Sequence, residues 1–256
     1  MTDIYCAADH VLLKADYSDP EQHCHWAKHL IISLSGKMEC SIEANDFQCH
    51  GIMIASNIQH TIKSNHNLML VYLFDETSDI SVKMEQLYFR KNNYFILDCS
   101  MVHKIRETWL NNMVDESNVD LMKTSYPNVY KTILKICGLS SPKKVKLDSR
   151  ILQAMDLLQS CDEISENTIH QLAKSLYLSQ SRLSHLFKEQ IGVSLNSFLV
   201  LIKIQKAYQY IFDGDSITEA ALKARFNSSS HFVTINKANF GISANQFHRD
   251  ARLILP

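Results

Sequence analysis

Two groups of residues carry side chains that can do chemistry. The first is a cluster of imidazoles around a thiol, His23-Cys24-His25-Trp26-Ala27-Lys28-His29, joined further along by Asn57-Ile58-Gln59-His60. Strand alternation puts His23 and His25 on one face, and opposed strands can bring His29 and His60 beside them. Three or four neutral imidazoles suit Zn2+, Ni2+ or Fe2+. Cys24, between two histidines, is placed to meet oxidants. Trp26 and Tyr72 add apolar walls, so the cluster also reads as the lining of a pocket for an organic molecule, or as plain core.

The second group is a pair of short helical stretches rich in hydroxyls and cations. Gln180-Ser181-Arg182-Leu183-Ser184-His185-Leu186-Phe187-Lys188 follows Ser179 and closes near Gly192. Ser229-Ser230-His231-Phe232-Val233-Thr234-Ile235-Asn236-Lys237 follows Ser228 and closes near Gly241. At helical phase Leu183, Leu186, Phe187 and Gln190 share one face of the first stretch, and Ser181, Ser184, His185 and Lys188 the other. In the second, Phe232, Ile235 and Asn236 point inward, with Ser230, Val233, Thr234 and Lys237 outward. Short hydroxyl side chains bond bases or phosphates while letting a helix backbone approach a duplex closely. The candidates for DNA contact are therefore Gln180, Ser181, Arg182, Ser184, His185 and Lys188, then Ser229, Ser230, His231, Thr234 and Lys237. Ser181 and His185 are the base-reading candidates; Arg182, Lys188 and Lys237 suit phosphates or solvent.

These groups need elements to hold them. Residues from about 8 to 75 alternate and break like short strands: 28–34, a turn at Ser35-Gly36-Lys37, 38–43, a turn at Asn45-Asp46, and 68–74. Strands at that spacing predict a small antiparallel barrel or sandwich. Helices are expected over 82–90, 101–113 and 127–137, the last with Pro127 in its first turn. Gly138 to Lys144 combines breakers with polar residues and reads as a linker. From Leu147 onward the expectation is helix almost throughout. There the two hydroxyl-rich stretches repeat at about 49 residues, each preceded by a short helix with an inward alanine, Ala173 or Ala221. Each unit is helix, tight turn, helix, closing glycine. A long helix over 195–212 separates them, which suits two helices entering successive major grooves about 34 Å apart.

Residues from about 147 to 250 resemble the DNA-binding domain of the AraC/XylS family of bacterial regulators. The matching residues are Leu172-Ala173, Ser179, Ser181-Arg182-Leu183, Leu186-Phe187-Lys188 and Gly192-Val193-Ser194. The second half adds Ala221, Phe226, His231-Phe232, Phe240-Gly241-Ile242-Ser243 and Gln246-Phe247. Tyr177 and Arg225 stand where the family usually has glycine, which predicts turns bent differently, because a side chain in the left-handed region costs roughly 1 kcal/mol or more. Asn236 replaces a buried Phe and would need hydrogen-bond partners. Ala244 replaces a proline. The histidine run resembles the cupin pattern HxHxxxE…G…H of sensor domains in the same family, with His29 in place of the Glu.

The resemblance implies a barrel holding a small organic effector, with His23, His25, Trp26, His29, His60 and Tyr72 lining it and no cofactor. The alternative is a metal- or redox-responsive regulator using His23, His25, His29, His60 and Cys24. A cupin enzyme with the same His cluster is a more distant one, and would not need paired helix-turn-helix units. The resemblance also implies activation of transcription, contact with RNA polymerase on promoter DNA, and a homodimer built by the helices between 80 and 137; periodicity offers Leu110 and Met113 for that interface.

Composition bounds these readings. Of 256 residues 46% are hydrophobic and 21% charged, the balance of a globular chain, and the formal net charge of −1 gives no nucleic-acid signal. The halves differ: residues 1–142 carry 12 Lys and Arg against 17 Asp and Glu, residues 143–256 carry 14 against 10. That fits an acidic module before a mildly basic one. Seven cysteines without a CxxC pair read as reduced thiols. The N-terminus lacks the basic start and apolar run of a signal peptide, and no stretch approaches the ~20 apolar residues of a membrane helix, so a cytoplasmic protein is expected. The expected architecture is α+β in two domains: a cupin-like barrel over 1–80, a helical dimerisation segment over 81–137, a linker over 138–146 and an all-α double helix-turn-helix domain over 147–256.

Overall fold

Strand β3 (Lys28–Ser33) and, apart from Leu68, strand β8 (Leu68–Phe74) are buried on both faces, so each is covered twice. The computed structural model supplies both covers. It describes residues 2–16, 22, 24, 27–75, 78–114, 117–140, 148–161, 164–165, 167–240 and 251–256. The other strands are β1 (Thr2–Cys6), β2 (His10–Asp16), β4 (Met38–Ile42), β5 (Asn45–Cys49), β6 (Gly51–Ile54), β7 (His60–Lys63), β9 (Tyr94–Ile96) and β10 (Ala251–Ile254). Seven of them form one sheet in the order β10-β1-β2-β8-β3-β6-β9, and β5-β4-β7 form a second. The pattern is thus a two-sheet sandwich. Every pairing is antiparallel except β1 with β10.

Register decides which core each residue joins. Ile31 pairs with Val71 and His29 with Leu73, while Leu30 pairs with Tyr72 and Ile32 with Leu70. Ile31, Val71 and Leu73 face the smaller sheet, in one cluster with Met38, Cys40, Ile42, Cys49 and Ile62. Leu30, Ile32, Leu70 and Tyr72 face the other way, onto α2 (Cys99–Asn112) and α3 (Val119–Ile136), through Trp109, Tyr126 and Ile133.

The expected helices are present with shifted bounds. The one placed at 82–90 starts earlier, as α1 (Asp79–Met84), where the Ser78 side chain accepts from the Ser81 N–H, and continues as a π turn over Glu85–Phe89. The one placed at 101–113 is α2, capped by Asp98. Pro127 lies inside α3, not in its first turn; Asn118 caps that helix two turns earlier. Burial of Met122 and Tyr126 against the sheet holds those turns, although Pro127 offers no N–H to the carbonyl four residues back. Met113 is buried and so belongs to the core, whereas Leu110 is 57% exposed. Gly138, at φ +66°, ends α3 as the breaker reading expects; residues 141–146 of the expected linker lie outside the described residues.

The C-terminal part contains α4 (Ser149–Ser160), α5 (Thr168–Ser175), α6 (Gln180–Ile191), α7 (Leu195–Phe212), α8 (Ile217–Lys223) and α9 (Ser229–Phe240). It is not wholly α, because β10 leaves it and joins the N-terminal sheet. The cores do not divide at 138–146 either. Ile204, Ala207 and Tyr208 of α7, with Ala221 and Phe232, belong to the cluster that fills the sandwich, while α4, α5 and α6 share a separate one.

Candidate nucleic-acid interface

Each helix pair is held by the same backbone bonds. After α5, the N–H of Leu176 donates to the Leu172 carbonyl, Tyr177 to Lys174 and Leu178 to Ala173. After α8, Ala224 donates to Ala220, Arg225 to Leu222 and Phe226 to Ala221. Tyr177 and Arg225 have φ +56° and +63°. The turns are therefore not bent differently for want of glycine: both keep the left-handed residue and accept its strain. Next comes a serine cap. Ser179 Oγ accepts from the Arg182 N–H at 3.2 Å, and Ser228 Oγ from the His231 N–H at 3.0 Å. Matched turn residues lie 48 apart and matched caps 49 apart, so Asn227 is an extra residue in the second connection.

The inner faces hold the helices down. Leu183, Leu186 and Phe187 are buried, as is Phe232. Gln190 is half-buried, and its Oε1 accepts from the Asp148 N–H at 2.7 Å, tying α6 to the start of α4. The Arg150 guanidinium, bonded to the Asp148 carboxylate at 2.6 and 3.0 Å, holds that carboxyl down to about 2, with the charge of Arg182 adding to the effect. Asn236 is fully buried, and its Oδ1 accepts from the Tyr208 hydroxyl at 2.6 Å. The polar residue at an apolar position thus has its partner on α7. Val233, expected outward, is partly buried against the same core as Ile235.

Outward, Gln180, Ser181, Arg182 and His185 are exposed on α6, and Ser184 and Lys188 half-exposed. On α9, Ser230, His231, Thr234 and Lys237 are exposed and Ser229 half-exposed. Three of these are engaged through their side chains. Gln180 Nε2 lies 3.0 Å from His170 Nδ1, and the His231 ring meets the Phe226 ring edge-on at 5.8 Å. Lys188 turns back to donate to the Gly192 carbonyl at 2.7 Å and sits 3.5 Å from Asp79 Oδ1. Sequence reading missed Asp79 and Asp148 because neither belongs to the repeat.

A duplicated turn with two exposed, hydroxyl-rich helices is a DNA reader's geometry. Residues 172–250 match a family of helix-turn-helix domains. The probable transcriptional regulator LumQ of Photobacterium leiognathi is 24% identical over 234 residues, covering 88% of this chain and 90% of that protein. The transcriptional regulator MtrA of Neisseria gonorrhoeae is 26% identical over 132 residues, 48% of this chain and 44% of its own length. The chain is a DNA-binding transcriptional regulator, and its residues 172–250 resemble the helix-turn-helix domain of the AraC type. A relative matched over nearly the whole chain being a regulator, the enzyme alternative is set aside. Among solved structures, apo ToxT of Vibrio cholerae aligns with 93% of the regulator and 96% of its own chain, at 12% identity and a TM-score of 0.47. The C-terminal domain of AraT from Geobacillus stearothermophilus aligns with 43% of the regulator and 91% of itself, at 27% identity and 0.38.

In the regulator's sandwich, His29 and His60 are both buried, their rings edge-on with centroids 4.9 Å apart. His60 Nδ1 lies 2.7 Å from the Ile58 carbonyl, which fixes that ring. The structure brings these two predicted residues together. Tyr72 is not with them: its register places it on the opposite face of β8, stacked on Phe74 and Tyr130 beneath α3. His23, His25 and Trp26 lie outside the described residues, and Cys24 is exposed. Among the described residues no group of three or more His, Cys, Asp or Glu is placed to hold a metal ion. Among the described residues no helix is long and apolar enough to cross a membrane.

Proposed function

We propose that this chain is a sequence-specific activator whose paired reading helices, α6 and α9, bind promoter DNA under control of a small effector held in the N-terminal sandwich. The observation that supports it is the twice-built turn, strained in the same way at Tyr177 and Arg225, which sets out two helices with exposed Ser181 and His185 on one and Ser230 and Thr234 on the other. Arg182 and Lys237 supply charge for phosphates, the sequence-independent part of affinity. Effector control requires different affinity for two arrangements of sensor and reader. The sensor comprises 1–80 with the helices of 81–137, joined by 138–146 to the reader at 147–256. It works as a cytoplasmic homodimer in contact with RNA polymerase, and pairing two readers raises their effective concentration on paired sites.

The test is selection of DNA fragments by the purified protein at rising salt. A motif of two short half-elements about ten base pairs apart is expected. Capture of fragments with no shared motif, lost steeply as salt rises, would count against sequence reading. The His29–His60 contact favours a second reading, a metal-responsive sensor completed by His23 and His25. Metal analysis of the purified protein, with a His60→Ala comparison, separates the two.

A further inference from the structure

The four residues of strand β10, Ala251–Ile254, do not stay within the reader that precedes them. They extend the sensor's large sheet instead. Strand β10 runs parallel to β1, with Thr2 opposite Ala251, Asp3 opposite Arg252, Ile4 opposite Leu253 and Tyr5 opposite Ile254. Both faces of β10 are specified. Leu253 is partly buried in the cluster shared by Ile4, Cys6 and α7. Ile254 is wholly buried beside Tyr5 in the layer beneath α2 and α3. Arg252 Nε donates to Asp3 Oδ1 at 2.8 Å, its Nη2 lies 2.7 Å from the same oxygen, and Lys14 Nζ reaches the other oxygen at 3.4 Å. The Asp3 side chain is only 2% exposed. A carboxylate that deeply buried is stable as an ion only with its cations in place, so the edge of β1 selects a basic residue opposite Asp3.

A second contact joins sensor and reader at the other unit. The Asp79 N–H donates to the Gly192 carbonyl at 2.8 Å, and a Cβ on Gly192 would stand 3.3 Å from Asp79 Oδ2. The Asp79 carboxylate is also the one that faces Lys188, on the helix meant for a phosphate-lined groove. That exposed pair is weak by itself. It nevertheless places a negative group at the end of the reading helix, where it opposes DNA phosphates and occupies a cation they would use.

We propose that the edge of β1 is a strand-addition site for an extended peptide with a basic residue opposite Asp3, and that β10 seated there is a latch holding the reader against the sensor and away from DNA. The proposal rests on the DNA-reading assignment for its output, though not for the site itself. With β10 docked and Gly192 tied to Asp79, both reading units are attached to the sensor. Release of the edge removes the strand that ties the end of the chain to β1, leaving only the shared core to hold the second unit, and, through α7, loosens α6 from Asp79. DNA and the docked strand then compete, and anything that disfavours the β1–β10 pairing favours DNA by linkage.

The experiment compares the full chain with a chain ending at residue 250 and with Arg252→Glu. Truncation and charge reversal should each tighten binding to the selected DNA on the order of tenfold, and the β1 amides should lose hydrogen-exchange protection. A synthetic peptide of residues 249–256, added without DNA, should bind the truncated chain and restore that protection; added with DNA, it should weaken the complex. Combining Asp3→Arg with Arg252→Glu should return affinity toward that of the full chain, a result that loss of folding would not give. Unchanged or weakened DNA affinity in the truncated chain, or a peptide that does not bind it, overturns the latch. Failure of every form to select a DNA motif, with peptide binding intact, would instead overturn the DNA assignment and leave the edge site standing.

Discussion

The two helix pairs, α5–α6 and α8–α9, share a backbone and differ in what supports it. Turn bonds, left-handed residue and serine cap are the same in both. The first rests on a core of its own, in which Ile151 and Leu158 of α4 meet Leu183, Phe187 and Phe198. The second rests on the N-terminal sandwich: Phe232, Ala221 and Tyr208 sit in the cluster that also fills it. Its inner face carries Asn236, held by Tyr208, and its connection is one residue longer. A local motif therefore sets how a helix is presented, whereas the surrounding core sets what that helix responds to. The first helix is held by a core of its own; the second is coupled to the N-terminal sandwich.

Removing a large ring from each core is the strongest way to break this contrast. Phe187→Ala and Phe232→Ala should each cost about 3–5 kcal/mol where they act. Hydrogen exchange should show opening confined to α4–α6 and the first half of α7 in the first variant and reaching β1 in the second. Equal, confined opening in both would end the claim that the second unit shares the sensor's core. Tyr208→Phe should destabilise by about 1–3 kcal/mol, because Asn236 Oδ1 keeps its burial and loses this donor. Denaturant unfolding measures it; a loss below the error of the method would mean that another group replaces the hydroxyl.

Next comes a difference in reading. His185 is exposed and makes no ring contact among those described, whereas His231 lies edge-on to Phe226. His185→Ala should cost about tenfold in preference for the selected site over random DNA, and His231→Ala less. Anisotropy titrations on both DNAs give the comparison, and an equal loss on random DNA would remove base readout from His185. The smallest effect concerns the shared turn. Tyr177 is 96% exposed at positive φ, so Tyr177→Gly should stabilise the first unit by roughly 1 kcal/mol. Thermal melting checks it, and a lowered midpoint would show that the ring contributes more than the strain costs.

Much of this was written in the local pattern. The inward Leu183, Leu186 and Phe187 and the exposed Ser181 and His185 follow from helical phase alone. The breaker at Gly138 and the strands at β3, β4 and β8 were legible for the same reason: each signal is complete within a few residues. Pro127 misled, because tertiary burial of Met122 and Tyr126 outweighed a local preference. Glycine at the turns misled too. Tyr177 and Arg225 adopt the conformation glycine would, since the surrounding bonds outweigh about a kilocalorie of strain.

The sequence alone therefore determined the two helix pairs and, Val233 apart, which of their side chains face outward, because helix phase and capping act over one or two turns. Only the tertiary structure decided that Tyr72 faces away from His29, that Asn236 meets Tyr208, and that the last strand joins the first. Each of these depends on register or on pairing between distant segments. A one-residue slip in a strand moves every side chain to the other face, and nothing in Ala251-Arg252-Leu253-Ile254 itself says that Asp3 is its partner.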